Sequence, residues 1–289
     1  MYSTLASFLI IHNTAGLFLP CLKYFKAKHH KVKLAKFRPE RLRFMEHYNK
    51  TSIVATDLQG TFEWRKQLLI VAESFDVLIV SSAPEIVFIL REEFPDKTII
   101  FVAHGEIRYK PWDGVLLRTI LGKVDLFYCT TTDLMELDGL RGNSRVRKID
   151  HPVDMDHFKP RPLKPGKLCV YPPAKDRGNN DIQEKLVRAH LKDIPDITFQ
   201  ESYLLPFGEV PEMLSHYDTF YDVKFNLFKD MLYNPDGDVM SRMGEEALAM
   251  GMTVIDGGFN EHKGLPEKYT AEVVTESFLH DMKEIGVRC

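Results

Sequence analysis

Asp236-Gly237-Asp238-Val239-Met240-Ser241-Arg242-Met243-Gly244-Glu245-Glu246-Ala247-Leu248-Ala249-Met250-Gly251-Met252-Thr253-Val254-Ile255-Asp256-Gly257-Gly258 is the stretch that decides the fold. It reads as loop, helix, glycine stop, strand, loop. Ser241 is placed as an N-cap, because its hydroxyl can accept from a first-turn N–H. Gly251 follows the last helical residue and can take the left-handed C′ conformation. Thr253-Val254-Ile255 is then a short buried strand, and Asp256-Gly257-Gly258 leaves it as a tight loop. Ala247 and Ala249 let the helix lie close to a sheet. Its N-terminus, across Val239, Met240 and Ser241, presents N–H groups and a positive dipole end that suit a diphosphate. Glu246 lies about one turn further in, where it could reach a sugar or ribose hydroxyl, and Asp238 lies just before the helix. An ordinary αβ unit with surface acids reads these residues equally well, so the rest of the chain must decide.

The 289 residues suffice for about two domains. A hydrophobic content of 44% with 27% charged residues marks a folding globular chain. Its net charge of −3 argues against a general nucleic-acid binder, so no nucleic-acid partner is expected. Cys21, Cys129, Cys169 and Cys289 are scattered without a Cys-x-x-Cys pair, which suits a reducing cytoplasm and gives no zinc site. Leu5 to Ile11 is apolar but too short to span a bilayer and lacks a basic lead, so it is expected to be a first strand.

From that strand the pattern repeats. Asn13 to Gly16 is a turn-forming loop, and Leu17 to Lys28 reads as a helix. Continuous apolar strands follow at 76–80, 97–103 and 125–130, separated by helical stretches at 60–72 and 85–94. Apolar strands alternating with helices indicate a parallel sheet covered on both faces, an α/β fold. His104 closes one of these strands. The run Lys23 to Arg43 holds nine Lys or Arg and one acid, Glu40, with Tyr24, Phe25, Leu34, Phe37 and Leu42 between them. A solvated helix face with a basic loop explains this run. So does a patch that rests on anionic lipid or a phosphate-bearing acceptor, which would make the protein peripheral on the inner membrane face.

Pro160-Arg161-Pro162-Leu163-Lys164-Pro165-Gly166 is the best boundary in the chain. It divides residues 1–160 from residues 161–289, where strands at 168–171, 197–199 and 219–223 alternate with helices. The last helix, Thr275 to Ile285, is a candidate to cross back to the first domain. Two such Rossmann-like domains face a cleft, and open α/β sheets bind ligands beyond the carboxyl ends of their strands.

Several segments together resemble the GT-B glycosyltransferases, specifically retaining family four. Glu246-Ala247-Leu248-Ala249-Met250-Gly251-Met252-Thr253-Val254 is similar to that family's Glu-Ala-x-Ala-x-Gly-x-Pro-Val segment, with Thr253 for Pro. The first acid of the family's Glu-x7-Glu motif falls on Asp238. His151-Pro152-Val153-Asp154, continuing to Phe158 and Pro160, resembles its Asn-Gly-Val-Asp-x-x-x-Phe-x-Pro. Val210-Pro211-Glu212-Met213-Leu214, with Tyr217-Asp218, resembles its short helix before a strand. Ala174-Lys175-Asp176-Arg177-Gly178 occupies the place of its cationic phosphate loop, but Pro172-Pro173 stand where Gly-Arg is usual, and the Arg-then-Lys order is reversed.

The resemblance implies a glycosyltransferase that uses a nucleotide-diphosphate sugar, with no further cofactor and no metal. The first domain would carry the acceptor (glycan, lipid or protein) and the second the nucleotide sugar. Lys175, Arg177 and the helix at Ser241 would stabilise the β-phosphate. Glu246 would hold the ribose diol, Asp238 and His104 would contact the donor sugar, and Gly16 would let the backbone approach the diphosphate. A same-fold epimerase or phosphorylase, or a catalytically silent subunit that binds a nucleotide sugar, keeps the same pattern. The Asp-x-Asp tripeptides at 154–156 and 236–238, with His151 and His157, match no standard metal spacing. As a single surface-cleft acid, Glu246 is expected to tolerate Ala without loss of fold.

Overall fold

The computed structural model describes residues 5–11, 17–36, 52–54, 62–104, 114–171, 180–201, 207–223, 225–226, 231–232 and 240–289. In chain order the elements are β1 (Phe8–Ile11), α1 (Leu22–Ala27), β2 (Val32–Lys36), β3 (Ser52–Val54), α2 (Phe62–Glu73), β4 (Val77–Ser81), α3 (Pro84–Glu93), β5 (Thr98–Ala103), α4 (Gly114–Leu121), β6 (Leu126–Cys129), α5 (Thr132–Met135) and β7 (Val146–Lys148). There follow β8 (Lys167–Tyr171), α6 (Asn180–His190), β9 (Ile197–Glu201), α7 (Val210–Ser215), β10 (Thr219–Asp222), β11 (Phe225–Asn226), β12 (Met231–Leu232), α8 (Arg242–Ala249), β13 (Thr253–Asp256), β14 (Glu261–His262) and α9 (Ala271–Glu284). They form two compact units, Met1–Pro152 with Ala271–Cys289, and Val153–Thr270.

The first unit is built on a parallel seven-stranded sheet of order β3-β2-β1-β4-β5-β6-β7. Its central strands are buried along their length, which is why they read as unbroken apolar runs. Alternate side chains serve opposite faces. Leu9, Ile11, Leu78 and Val80 pack with Trp64 and Leu68 of α2 and Val87 of α3. Phe8, Ile10, Val77 and Ile79 pack with Phe25 of α1 and Phe278 of α9. The expected helix from Leu17 is shorter than its sequence suggested and begins at Leu22. Pro20 explains this, since the residue before a proline is driven out of the α region.

The last helix, α9, packs in the core of the first unit. Phe278 meets Phe8, Phe18 and Phe25 at ring-centroid distances of 6.0, 5.6 and 5.8 Å, and burying such a ring is worth about 1.5–3 kcal/mol. The Tyr128 hydroxyl donates to Asp281 at 2.6 Å, and burial, then that bond, pushes its phenol pKa up.

In the second unit the sheet order is β14-β13-β10-β8-β9, parallel except for the antiparallel edge strand β14. The division between units falls at Pro152 rather than after residue 160. Val153 bridges to Thr270, and Phe158 packs edge-on against Phe207 at 5.5 Å, so the residues that lead into the expected boundary belong to the second unit. In each sheet the strand order reverses between the first strand and one that returns on its other side: β1 and β4 in one, β8 and β10 in the other. Ligands bind beyond the carboxyl ends of strands at such points.

Candidate active site

At the second unit's switch point the central feature is α8. Ser241 caps it as expected, in extended conformation, its hydroxyl accepting from Gly244 N–H at 3.1 Å. Gly251 has φ +88°, the left-handed stop that ends the helix. A feature the sequence did not disclose is Asp222, the last residue of β10. Its Oδ2 accepts from the Ser241 N–H at 2.6 Å. A Cβ at Gly244 would stand 2.7 Å from that same oxygen and 2.9 Å from Met240 Cγ. Glycine is therefore what lets a carboxylate come this close to the helix end.

Glu246 differs from its expected character. It is not a surface acid but is 1% exposed, and its Oε1 accepts from Arg242 Nε at 3.0 Å. Arg242 is itself 14% exposed. An arginine at the first helical position opposes the helix dipole, and Arg preceding Glu by four is the weaker orientation for a helix pair. The pair is therefore explained by burial rather than by helix propensity. Arg242 brings a cation to the helix end that was expected to meet a diphosphate, and the sequence reading did not single it out.

Beside Asp222, in register with it on the neighbouring strand, is Asp256. Asp256 is buried and accepts from Gly258 N, Asn260 N, Asn260 Nδ2 and His262 Nε2. Burial alone would raise its pKa, but the bonds from His262, Asn260 and Gly258 outweigh burial and hold it below the usual carboxylate value. The loop that it ties presents Phe259 in the left-handed region (φ +63°), stacked on His190 at 4.9 Å.

In the first unit His104 closes β5 and is buried at 5% exposure. Its Nε2 is 3.0 Å from the Ser81 hydroxyl at the end of β4. The His151 ring lies 5.5 Å from the His104 ring, tilted by 50°. Thr130 and Thr131 are buried at the end of β6. The residues after β4 are strained: Ser82 has φ +59°, a conformation costly for a non-glycine residue.

Of the expected site residues, Met240, Ser241 and Glu246 are gathered at α8, and His104 belongs to the other unit. Gly16, Lys175, Arg177, Asp238 and Val239 lie outside the described residues, as does the basic run beyond Lys36. Among the described residues no group of three or more His, Cys, Asp or Glu is set to hold a metal. His157 instead bonds to the Phe207 carbonyl at 2.9 Å and stacks on its ring, and Asp154 accepts from the Asp156 and His157 N–H groups. No described helix is long and apolar enough to cross a membrane.

Two parallel-dominated α/β sheets with these connections define the GT-B class of fold, and solved structures bear this out across nearly the whole chain. The chain is similar to an α-glucosyltransferase in complex with UDP and a 13-mer DNA containing a central A:G mismatch: 12% identity, 97% of this chain, 90% of that chain, TM-score 0.58. It is similar to sucrose-phosphate synthase from Thermosynechococcus elongatus: 12% identity, 98% and 91% covered, TM-score 0.55. A UDP-N-acetylglucosamine 2-epimerase matches at 10% identity, 96% and 87% covered, TM-score 0.50. The sequence matches no protein-family model and no curated protein.

Proposed function

We propose that this protein is a glycosyltransferase that moves a sugar from a nucleotide-diphosphate sugar to a glycan, lipid or protein acceptor, retaining anomeric configuration and using no metal or other cofactor. The observation that carries the reading is the end of α8. A capped helix N-terminus, with the Arg242–Glu246 pair behind it, flanks the switch point of a GT-B sheet. The family-four resemblance of Glu246 to Val254 agrees with it.

In this reading the bond between the anomeric carbon and the β-phosphate oxygen breaks, and the phosphate leaves with the electron pair. The acceptor hydroxyl adds to the same face and gives its proton to the departing phosphate. Lys175, Arg177 and Arg242 offset the growing negative charge. Because Asp222 already takes the Ser241 N–H, α8 contributes its dipole and its arginine rather than that donor. Glu246 holds the ribose diol, Asp238 and His104 contact the donor sugar, and Gly16 admits the diphosphate from the first unit. The run Lys23–Arg43 rests on the anionic inner face of the membrane. Lys23, Lys26, Lys28, Lys31 and Lys33 are exposed, although Lys28 is paired with Glu276 at 2.9 Å.

The fold likeness to an epimerase favours one second reading, same-site epimerisation. Pro172-Pro173 in the phosphate loop favours another, a silent subunit. Incubation with UDP-, GDP- and ADP-linked sugars, with and without acceptors, separates the three. Transfer predicts nucleoside diphosphate together with a new glycoside. An epimeric sugar nucleotide would replace the proposal with epimerisation, and binding without turnover would replace it with the silent subunit. Flotation with anionic and neutral liposomes tests the basic run, and equal recovery in both would remove the membrane contact.

A further inference from the structure

We propose that Ser81 is a positioning residue for His104, fixing the orientation of the imidazole from inside the first unit. The inference rests on the reading of His104 as a donor-sugar contact and adds to it the residue through which that contact is held.

The geometry begins with the sheet. β4 and β5 are parallel neighbours, with Ser81 opposite Val102. The Ser82 N–H donates to the Val102 carbonyl at 3.0 Å and fastens the end of β4 to β5. Ser82 then takes φ +59°, turning the chain sharply away toward Pro84, where α3 begins. Ser81 is thus the last residue held in the strand, and its side chain is only 3.0 Å from His104 Nε2. Both residues are buried, Ser81 at 1% and His104 at 5%. The His151 ring stands 5.5 Å from the His104 ring.

A serine hydroxyl can donate to a bare ring nitrogen or accept from a protonated one, so the contact holds Nε2 in place in either tautomer. A buried hydroxyl on a fastened strand end is a fixed partner, so His104 is oriented before any ligand arrives.

The test is nitrogen-15 NMR of the histidine side chains in the full-length protein, with His104 assigned by its loss in His104→Gln. The wild type is expected to show a hydrogen-bonded His104 Nε2, displaced from the shift of an unbonded ring nitrogen in the same protonation state. Ser81→Ala should move that shift toward the unbonded value and lower kcat/KM with a nucleotide sugar about five- to tenfold, the effect of one neutral hydrogen bond. Ser81→Thr, which keeps the hydroxyl, should restore both. Unchanged His104 shifts in Ser81→Ala would overturn the proposal. Should that variant not fold, the wild-type spectrum decides, because an Nε2 shift of an unbonded nitrogen there refutes it. If the wild type turns over no nucleotide sugar, the glycosyl-transfer reading fails while the NMR result still judges Ser81.

Discussion

Ser81 and Asp222 occupy equivalent places in the two units. Each ends the strand that returns beside the first strand of its sheet, β4 beside β1 and β10 beside β8. In the first unit the strand ends meet through a neutral contact, a serine hydroxyl against an imidazole at 3.0 Å. In the second they end in carboxylates. Asp222 takes a helix N–H, and its neighbour Asp256 gathers donors from Gly258, Asn260 and His262. A neutral contact sets orientation at little electrostatic cost. A carboxylate in a part-buried loop stabilises strongly, but only while it is charged and its donors remain in place. The strand ends of the second unit should therefore be the ones that respond to charge and to pH; in the first unit the carboxylate with a lowered pKa, Asp76, stands immediately before β4, bonded to Ser7.

The largest effect should come from Glu246→Ala. The change leaves Arg242 largely buried without its carboxylate, which costs about 3 kcal/mol or more. Denaturant melts should show the second unit losing most of that stability. Calorimetric titration should show weaker binding of a nucleoside diphosphate wherever the fold survives. A melt like that of the wild type would mean that the pair contributes nothing to the second unit, and unchanged affinity would remove Glu246 from the site.

Asp256→Asn should cost about 2 kcal/mol at neutral pH, the scale of hydrogen bonds to a charged group. The sign with pH follows from the lowered pKa of Asp256. Its contribution is complete above the unfolded carboxylate value, near 3.8, and is lost as pH falls through the lower folded value. The wild type and Asp256→Asn should thus converge as pH falls below the unfolded carboxylate value. A gap that stayed open through that range would contradict the account of Asp256 as a charged lock.

Gly244→Ala is a smaller and sharper probe. In an exposed helix, Ala is favoured over Gly by up to about 1 kcal/mol. Here the new Cβ would meet the Asp222 carboxylate at 2.7 Å, so a net loss of about 1 kcal/mol is expected from overpacking. Adding Asp222→Ser should recover much of it, and the coupling in the double-mutant cycle measures the contact. Additive losses would mean that Asp222 yields freely and does not guard the helix end.

What the sequence disclosed and what it withheld divide along a physical line. The apolar runs at Val77–Val80 and Thr98–Ala103 signal buried parallel strands because each residue's burial is local to its strand. Ser241 and Gly251 are equally legible, since a cap and a left-handed stop act within one turn of their helix. Asp222 was not, because its role depends on which strand end faces α8, nineteen residues on. Ser81 and His151 are drawn to His104 only by the order and register of β4 to β7. Glu246 lies on α8 as its place in the sequence suggests, but its burial was not legible, because packing around a helix cannot be read from the helix alone.

The cysteines turn the comparison into a direct measurement. Burial pushes the Cys21 and Cys129 thiols up to about 12, and both lie in the first unit. Cys169, also buried, lies on β8 in the second unit, and Cys289 is less deeply covered. At pH 8 a thiol reagent should therefore label Cys289 first, with the other three reacting only when their unit opens. In Glu246→Ala, labelling of Cys169 should accelerate while Cys21 and Cys129 keep their wild-type rates, because the lost ion pair belongs to the second unit. Mass spectrometry of timed, quenched samples resolves the four sites. Equal acceleration at Cys129 and Cys169 would show that the units open as one cooperative body, and the contrast between the two sets of strand ends would then have no separate consequence for stability.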